Sequence, residues 1–407
     1  MPSLVERLNN LGLQKASQVK PSNRELKRPL EDILGARVVE NSLGKVLIVE
    51  KTFPFGYKHG DIEFVKEVDT GSIHQAGKLN SQTENIEKLV FLDTETTGLS
   101  GGTGTIAFLV GLAWFQNDGL KLAQLIIDDP AEEPAMLLEL SNISETKEAV
   151  VSFNGKSFDM PLLKTRYVMN RMPVPFSDWG HLDLLHLSRR LWRNRLESRT
   201  LKDLETEILH IPRTDEEVPG WMIPEIYFNY LRTGDGSKLS NVVYHNAMDI
   251  VSLAALYLSI SNILDRDLFS ESTNIEDVYA IGKIYQDIGE LNKSRSIFEH
   301  CLSKTDLDHS IKNDIQSRLA LMHKKEKDWE KAILLWQDNG NSGDIDACIE
   351  MAKYFEHEIL DVESALEWTL KAENNLEKSS LLRYKKKTIK SALLVRKNRL
   401  EKRINHV

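Results

Sequence analysis

Leu89-Val90-Phe91-Leu92-Asp93-Thr94-Glu95-Thr96-Thr97-Gly98-Leu99 joins an apolar, strand-like run to two carboxylates one residue apart. Side chains alternate between faces along a strand, so Asp93 and Glu95 project from the same face. Two carboxylates held that closely repel each other unless a cation lies between them. Hard divalent ions such as Mg2+ or Mn2+ select carboxylate oxygens and would fill that role. An edge strand with its polar face in water is the plainer alternative.

Two further segments bear on the choice. Val150-Val151-Ser152-Phe153-Asn154-Gly155-Lys156-Ser157-Phe158-Asp159-Met160-Pro161-Leu162-Leu163 reads as a buried β-branched strand, an Asn-Gly turn and a helix beginning near Pro161, with Asp159 or its neighbour at the cap. Val242-Val243-Tyr244-His245-Asn246-Ala247-Met248-Asp249-Ile250-Val251-Ser252-Leu253 has apolar residues at the helical period. His245 and Asp249 are four apart and share one helical face. Singly, Asp159 reads as a cap and His245 as a solvated histidine.

In order and spacing the three segments resemble the motifs of the DEDD superfamily of 3′-to-5′ exonucleases, which share a ribonuclease-H-like fold. Asp-x-Glu-Thr-Thr-Gly-Leu matches the first motif and Asn-x-x-x-Phe-Asp-x-Pro-x-Leu the second, and the helical group four residues before Asp249 matches the third. The second motif is most similar to that of the proofreading domain of family B DNA polymerases. His181-Leu182-Asp183-Leu184-Leu185 and Leu201-Lys202-Asp203-Leu204-Glu205 fit the span between motifs two and three. The pairing with downstream helices resembles the bacterial YprB-type ribonuclease-H-like proteins.

The third motif departs from the family, which carries His five residues before the Asp or Tyr four before it. Here Tyr244 is five before Asp249 and His245 four before it. Those offsets differ by about 100° on a helix, so His245 takes the base role, with Tyr244 as the fallback. The resemblance implies two-metal phosphodiester hydrolysis, with Asp93, Glu95, Asp159 and Asp249 holding two Mg2+ or Mn2+ ions roughly 4 Å apart. His245 would orient or deprotonate the water. Thr96, Asn154 and Phe158, within the motifs, are expected to contact the nucleic acid.

The Gly-rich stretch Ser100-Gly101-Gly102-Thr103-Gly104-Thr105 is no phosphate-cradling Walker loop, because no Gly-Lys-Ser/Thr follows and a strand comes next. It reads as a hairpin connection, or as a backbone surface admitting the terminal nucleotide to the metals.

The chain has 407 residues, 41% of them hydrophobic, enough for a large core and more than one domain. Cys301 and Cys348 have no neighbour at metal or redox spacing, which argues against a disulfide framework and a zinc site. The first residues lack an apolar signal core, and the run Ile106 to Phe115 is too short to span a bilayer, so a cytoplasmic protein with no membrane association is expected. The net charge of −9 does not exclude nucleic acid, since binding needs only a local basic surface. Arg189, Arg190, Arg193, Arg195, Arg199 and Lys202, with Trp192 among them, form either such a surface, contacting phosphates and stacking a base, or a solvated helix face. A second basic run from Arg383 to Arg403 reads as a solvated terminal helix or a nonspecific nucleic-acid contact.

Three parts are expected. Residues 1–85 hold a polar helix-like start, a Pro-bearing connection around Pro21 and Pro29, strand pieces such as 45–50, and a polar linker from Gly71 to Glu87 that runs into the next part. Residues 86–264 form an α/β ribonuclease-H-like domain, a mixed sheet flanked by helices, with strands at Leu89–Asp93, Ile106–Phe115, Leu120–Ile127 and Ala149–Phe153. Residues 270–407 form an all-α region with tetratricopeptide-like repeats, its small and aromatic positions being Gly282, Tyr285, Gly289, Ser294 and Phe298, then Ala320, His323, Ala332 and Trp336, then Ala352, Phe355 and Ala365. Such repeats would present a groove to a protein partner or buttress the catalytic domain.

The functional expectation is a metal-dependent 3′-to-5′ exonuclease acting on single-stranded DNA or RNA. The alternatives are a structure-selective endonuclease on the same fold, and a non-enzymatic scaffold that binds nucleic acid and uses its helical repeats for a protein partner.

Overall fold

The computed structural model describes residues 28–79, 85–98, 104–211, 218–265, 274–305 and 307–405. The helix-like start, the connection at Pro21 and most of the Gly-rich stretch lie outside the described residues.

The strands are β1 (Arg37–Asn41), β2 (Gly44–Pro54), β3 (Lys58–His59), β4 (Ile62–Glu63), β5 (Leu89–Thr96), β6 (Ala107–Gln116), β7 (Gly119–Ile126), β8 (Ala149–Ser152) and β9 (Gly180–Asp183). Seven of them make one mixed sheet in the order β1-β2-β7-β6-β5-β8-β9, with β3 and β4 paired separately. β1 through β5 in that order run antiparallel to their neighbours, whereas β8 is parallel to both β5 and β9. β8 and the first half of β5 are continuous runs of buried residues, nearly all apolar, as strands covered on both faces must be.

The first unit also contains helices α1 (Leu30–Leu34), α2 (Gly71–Ala76), α3 (Glu133–Ser144) and α4 (Asp159–Met169). α5 (Leu184–Leu191), of which only residues 184–187 lie in this unit, α6 (Leu201–Glu207), α7 (Ile223–Thr233) and α8 (Leu239–Asp265) follow. α8 is apolar nearly all round and packs against β5 and β6, the mark of a core helix. It is long and apolar enough to cross a membrane, a candidate the sequence reading passed over, but its apolar residues are buried within the protein.

Residues 28–79 belong to this unit. The β1–β2 hairpin extends the sheet through β7, and two buried histidines fasten the following segment to α8. His59 Nε2 lies 2.8 Å from Ser252 Oγ, and His74 Nε2 2.9 Å from Tyr257 Oη. Burial pushes the His59 imidazole down to about 4, so it stays neutral. The expected polar linker is corrected at its start: Gly71–Ala76 is helical because Ile73, His74 and Ala76 are buried. Residues 80–84 lie outside the described residues.

The second unit is helical: α9 (Ile275–Asp287), α10 (Leu291–Leu302), α11 (His309–Lys325), α12 (Trp329–Asn341), α13 (Ile345–Tyr354) with a π-helical turn at Phe355–Ile359, α14 (Val362–Lys378) and α15 (Arg383–Ile404). Consecutive helices pack as hairpins. Ser294 Oγ donates to the Gly282 carbonyl at 2.8 Å, and a Cβ on Gly282 would lie 2.6 Å from the Phe298 ring, so the glycine permits that close crossing. Ala320, Ala332, Trp336, Ala352 and Ala365 are buried between helices. The units are not contiguous in sequence: Ser188–Glu197 belongs with the helical unit, and the chain returns to the sheet unit for Ser198–Asp265.

Candidate active site

β5 supplies two of the carboxylates. Asp93 pairs with Gly111 and Glu95 with Leu109, after which the register shifts so that Thr96 meets Ala107. Phe108 is the extra residue of this bulge and stacks on Tyr227 with ring centroids 4.0 Å apart. Bulges of this kind re-aim side chains beside functional sites. Thr96 Oγ1 donates to the Gly98 carbonyl at 2.8 Å, and Thr97 is joined to Ile106 by two hydrogen bonds of 2.9 and 3.0 Å, which close the base of the following loop.

The third carboxylate comes from the β8–α4 junction. Asn154 sits at φ +65°, a left-handed conformation that asparagine tolerates. The buried Asp183 at the end of β9 holds this turn, its carboxylate accepting from the backbone N–H groups of Asn154 (2.8 Å), Lys156 (3.1 Å) and Leu185 (3.1 Å). Gly155 passes so close to Ser152 and Asp159 that a Cβ would lie 2.5 Å from Ser152 Oγ and 3.0 Å from Asp159 Oδ2. Phe158 occupies the cap position, exposed, and Asp159 opens α4, buried, accepting a 2.5 Å hydrogen bond from Thr94 Oγ1.

α8 brings the fourth carboxylate and the candidate base. His245 Nε2 lies 3.6 Å from Asp249 Oδ2, with both side chains partly exposed. Tyr244 is about half exposed on the same helix, and the Tyr57 phenol is raised by burial first and by Tyr244 second. Asn246, buried, donates from Nδ2 to Asp93 Oδ2 at 2.8 Å.

Electrostatics show that the four carboxylates converge. Burial first, then the charges of Asp159, Glu95 and Asp249, hold the Asp93 carboxyl well above the usual range, and Asn246 works against that rise. Glu95 is pushed up to about 8 by burial, Asp249 and Asp159. Asp159 is raised mainly by burial, and the Thr94 hydrogen bond opposes it. Among the described residues no three His, Cys, Asp or Glu side chains form a ready-made metal cage. Mg2+ does not require one, since it binds through one or two carboxylates together with substrate phosphates. Four carboxylates, Asp159 buried and Asp93, Glu95 and Asp249 partly so, offer the oxygen donors that such ions select.

The basic segment is divided. Trp192 is fully buried, which corrects the expectation that it stacks a base: its indole lies in the helical unit, where it and Arg195 draw down an Asp277 carboxyl raised by burial. Arg195 Nη1 is 2.5 Å from Asp277 Oδ2, and Arg190 Nη2 is 3.0 Å from Asp287 Oδ2. Arg193 is exposed in that unit, and Arg199 is half-buried in the sheet unit.

Sequence reasoning passed over Thr94, Gly111, Gln124 and Asn246 and gave Asp183 no role. The available signal was a glutamine in an otherwise apolar strand run, Leu122-Ala123-Gln124-Leu125.

The family described as RNase_H_2, of the RNase H superfamily, matches residues 90–261, which contain all four carboxylates and His245. The uncharacterized protein YprB of Bacillus subtilis (strain 168) is 33% identical over 334 residues, covering 79% of this chain and 78% of that protein. A family B DNA polymerase structure from the hyperthermophilic archaeon Pyrobaculum calidifontis superposes with a TM-score of 0.36 and 11% identity, over 68% of this chain and 35% of that one. The chain belongs to the family of YprB and carries an RNase H superfamily domain over residues 90–261.

Proposed function

We propose that this chain is a metal-dependent 3′-to-5′ exonuclease of the DEDD type that hydrolyses phosphodiester bonds in single-stranded DNA or RNA. The observation that supports this reading is the convergence of Asp93, Glu95, Asp159 and Asp249 from three separate segments, close enough that the charges of Asp159 and Asp249 help to raise the Asp93 and Glu95 carboxyls. So many mutually repelling carboxylates destabilise a protein that has no cationic use for them.

In this mechanism the four carboxylates would hold the ions; Thr94 fixes the Asp159 carboxylate by a hydrogen bond, and Asp183 fixes the turn that precedes it. Two bound Mg2+ or Mn2+ ions would supply Lewis acidity and neutralise charge on the phosphate. His245, whose Nε2 lies 3.6 Å from Asp249 Oδ2, would accept the proton of the attacking water on a ring nitrogen not engaged by that carboxylate. Thr96, Asn154 and the exposed Phe158 flank the carboxylates and would contact the terminal nucleotide, Phe158 by stacking.

The test is cleavage of matched 5′-labelled single-stranded DNA and RNA with Mg2+ or Mn2+. Wild type should produce a ladder shortening from the 3′ end, and Asp93→Ala or a chelator should reduce it to background. An Asp93→Ala protein cutting at the wild-type rate would overturn the assignment. Products from a circular substrate would replace the exonuclease with an endonuclease.

A further inference from the structure

Asp93, Gly111 and Gln124 are register partners on three neighbouring strands, so their Cβ positions form a row across one face of the sheet. The middle position has no side chain. Asn246 from α8 enters that gap: a Cβ on Gly111 would stand 2.2 Å from Asn246 Oδ1 and 2.1 Å from Ile250 Cδ1. Asn246 is wholly buried there and Gln124 nearly so.

The polarity of the chain of hydrogen bonds follows from one backbone group. The Val243 carbonyl can only accept, so the Gln124 atom 2.7 Å from it is the amide nitrogen. That nitrogen's second proton points at Asn246, 2.9 Å away, and so meets the Asn246 oxygen. The Asn246 nitrogen is left facing Asp93 Oδ2 at 2.8 Å, as a donor to a carboxylate. A buried amide with both ends committed cannot rotate without losing bonds at each.

We propose that Asn246 is a positioning residue: seated in the Gly111 gap and oriented by Gln124, it fixes the Asp93 carboxylate and ties the helix of His245 and Asp249 to the strand of Asp93 and Glu95. This inference rests on the metal-binding reading above. Partners of this kind, standing behind a ligating carboxylate, set its direction and the affinity of the ion it holds.

The experiment is Mn2+ titration of the full chain without nucleic acid, with free Mn2+ read by electron paramagnetic resonance, on wild type, Asp93→Ala, Asn246→Ala and Gln124→Glu. Gln124→Glu keeps the size of the side chain but offers one proton at most in place of the two of the amide, so it disturbs the relay without touching Asp93. Both relay variants should weaken Mn2+ binding by about 10–100-fold while their circular dichroism matches wild type. In cleavage assays kcat should fall with the KM for oligonucleotide unchanged, a split that a loss of general stability would not give.

A folded Asn246→Ala that binds Mn2+ with wild-type affinity overturns the inference. Should that variant fail to fold, Gln124→Glu decides in the same way. Wild type that binds no Mn2+, or binds it equally well after Asp93→Ala, overturns the metal reading itself, and the inference with it.

Discussion

Glu95 carries the clearest consequence at the scale of the residue. Its carboxyl moves from an ordinary 4.5 up to about 8 on folding, and Asp93 moves in the same direction. The folded state therefore holds protons that the unfolded state releases, so stability falls as pH rises from about 4.5 through about 8. In the presence of chelator the melting temperature should decline over that window, and Glu95→Gln should flatten the decline. Divalent ions should raise the melting temperature more at the upper end of the window than at the lower, because only ionised carboxylates bind them. Thermal denaturation across pH, with and without Mn2+, checks both statements. Asp93 and Glu95 were legible in the sequence because a strand's alternation puts them together, and His245 and Asp249 because a helix's period does. The partners that hold them were not: Gln124 meets Asn246 across 122 residues, and no local pattern encodes that distance.

At the scale of the element, the placement of α8 depends on a missing side chain. Gly111→Ala would drive a methyl group against Ile250 and Asn246, and the helix would have to move away from β6. Overpacking of this kind costs about 1–3 kcal/mol, to be measured by urea denaturation, and here it should also weaken Mn2+ binding. In the helical unit the terminal basic run divides by partner. Glu356, buried in the π-helical turn, receives Arg396 at 2.5 Å, Arg399 at 2.7 Å and Arg403 at 3.6 Å, so these three guanidinium groups fasten α15 to the turn. Its sequence suggests a solvated helix or a nucleic-acid contact, but its C-terminal half is a fastening. Glu356→Gln should lower the stability of this unit by about 2 kcal/mol, the order expected for hydrogen bonds to a buried charge, because a neutral amide cannot balance three cations. Guanidinium unfolding followed by helical circular dichroism would show the loss.

At the scale of the whole molecule, five of the seven sheet strands and the helical character of the C-terminal region follow from periodicity, those five lying within a few residues of where they are expected, whereas β1 and β9 are not anticipated by it. The route of the chain between its two units does not follow from it. Residues 188–197 carry four arginines and a tryptophan, which in sequence look like a surface, yet they pack with the helical unit, covering Trp192 and Leu191 and pairing Arg195 with Asp277. Charge composition describes a segment's solvation only when nothing downstream supplies opposite charges, and here α9 supplies Asp277 and Asp287. A cut after residue 265 therefore does not release an independent nuclease domain. It strips Trp192 of the helices that bury it and leaves Arg195 and Arg190 without their carboxylates. The truncated chain should expose that apolar surface, shifting tryptophan emission to longer wavelength and promoting aggregation, whereas Trp192→Ser in the truncated chain should recover solubility. A chain cut at 265 that stays monomeric in analytical ultracentrifugation, with the emission of the full chain, would show that the 188–197 segment folds without the helical unit.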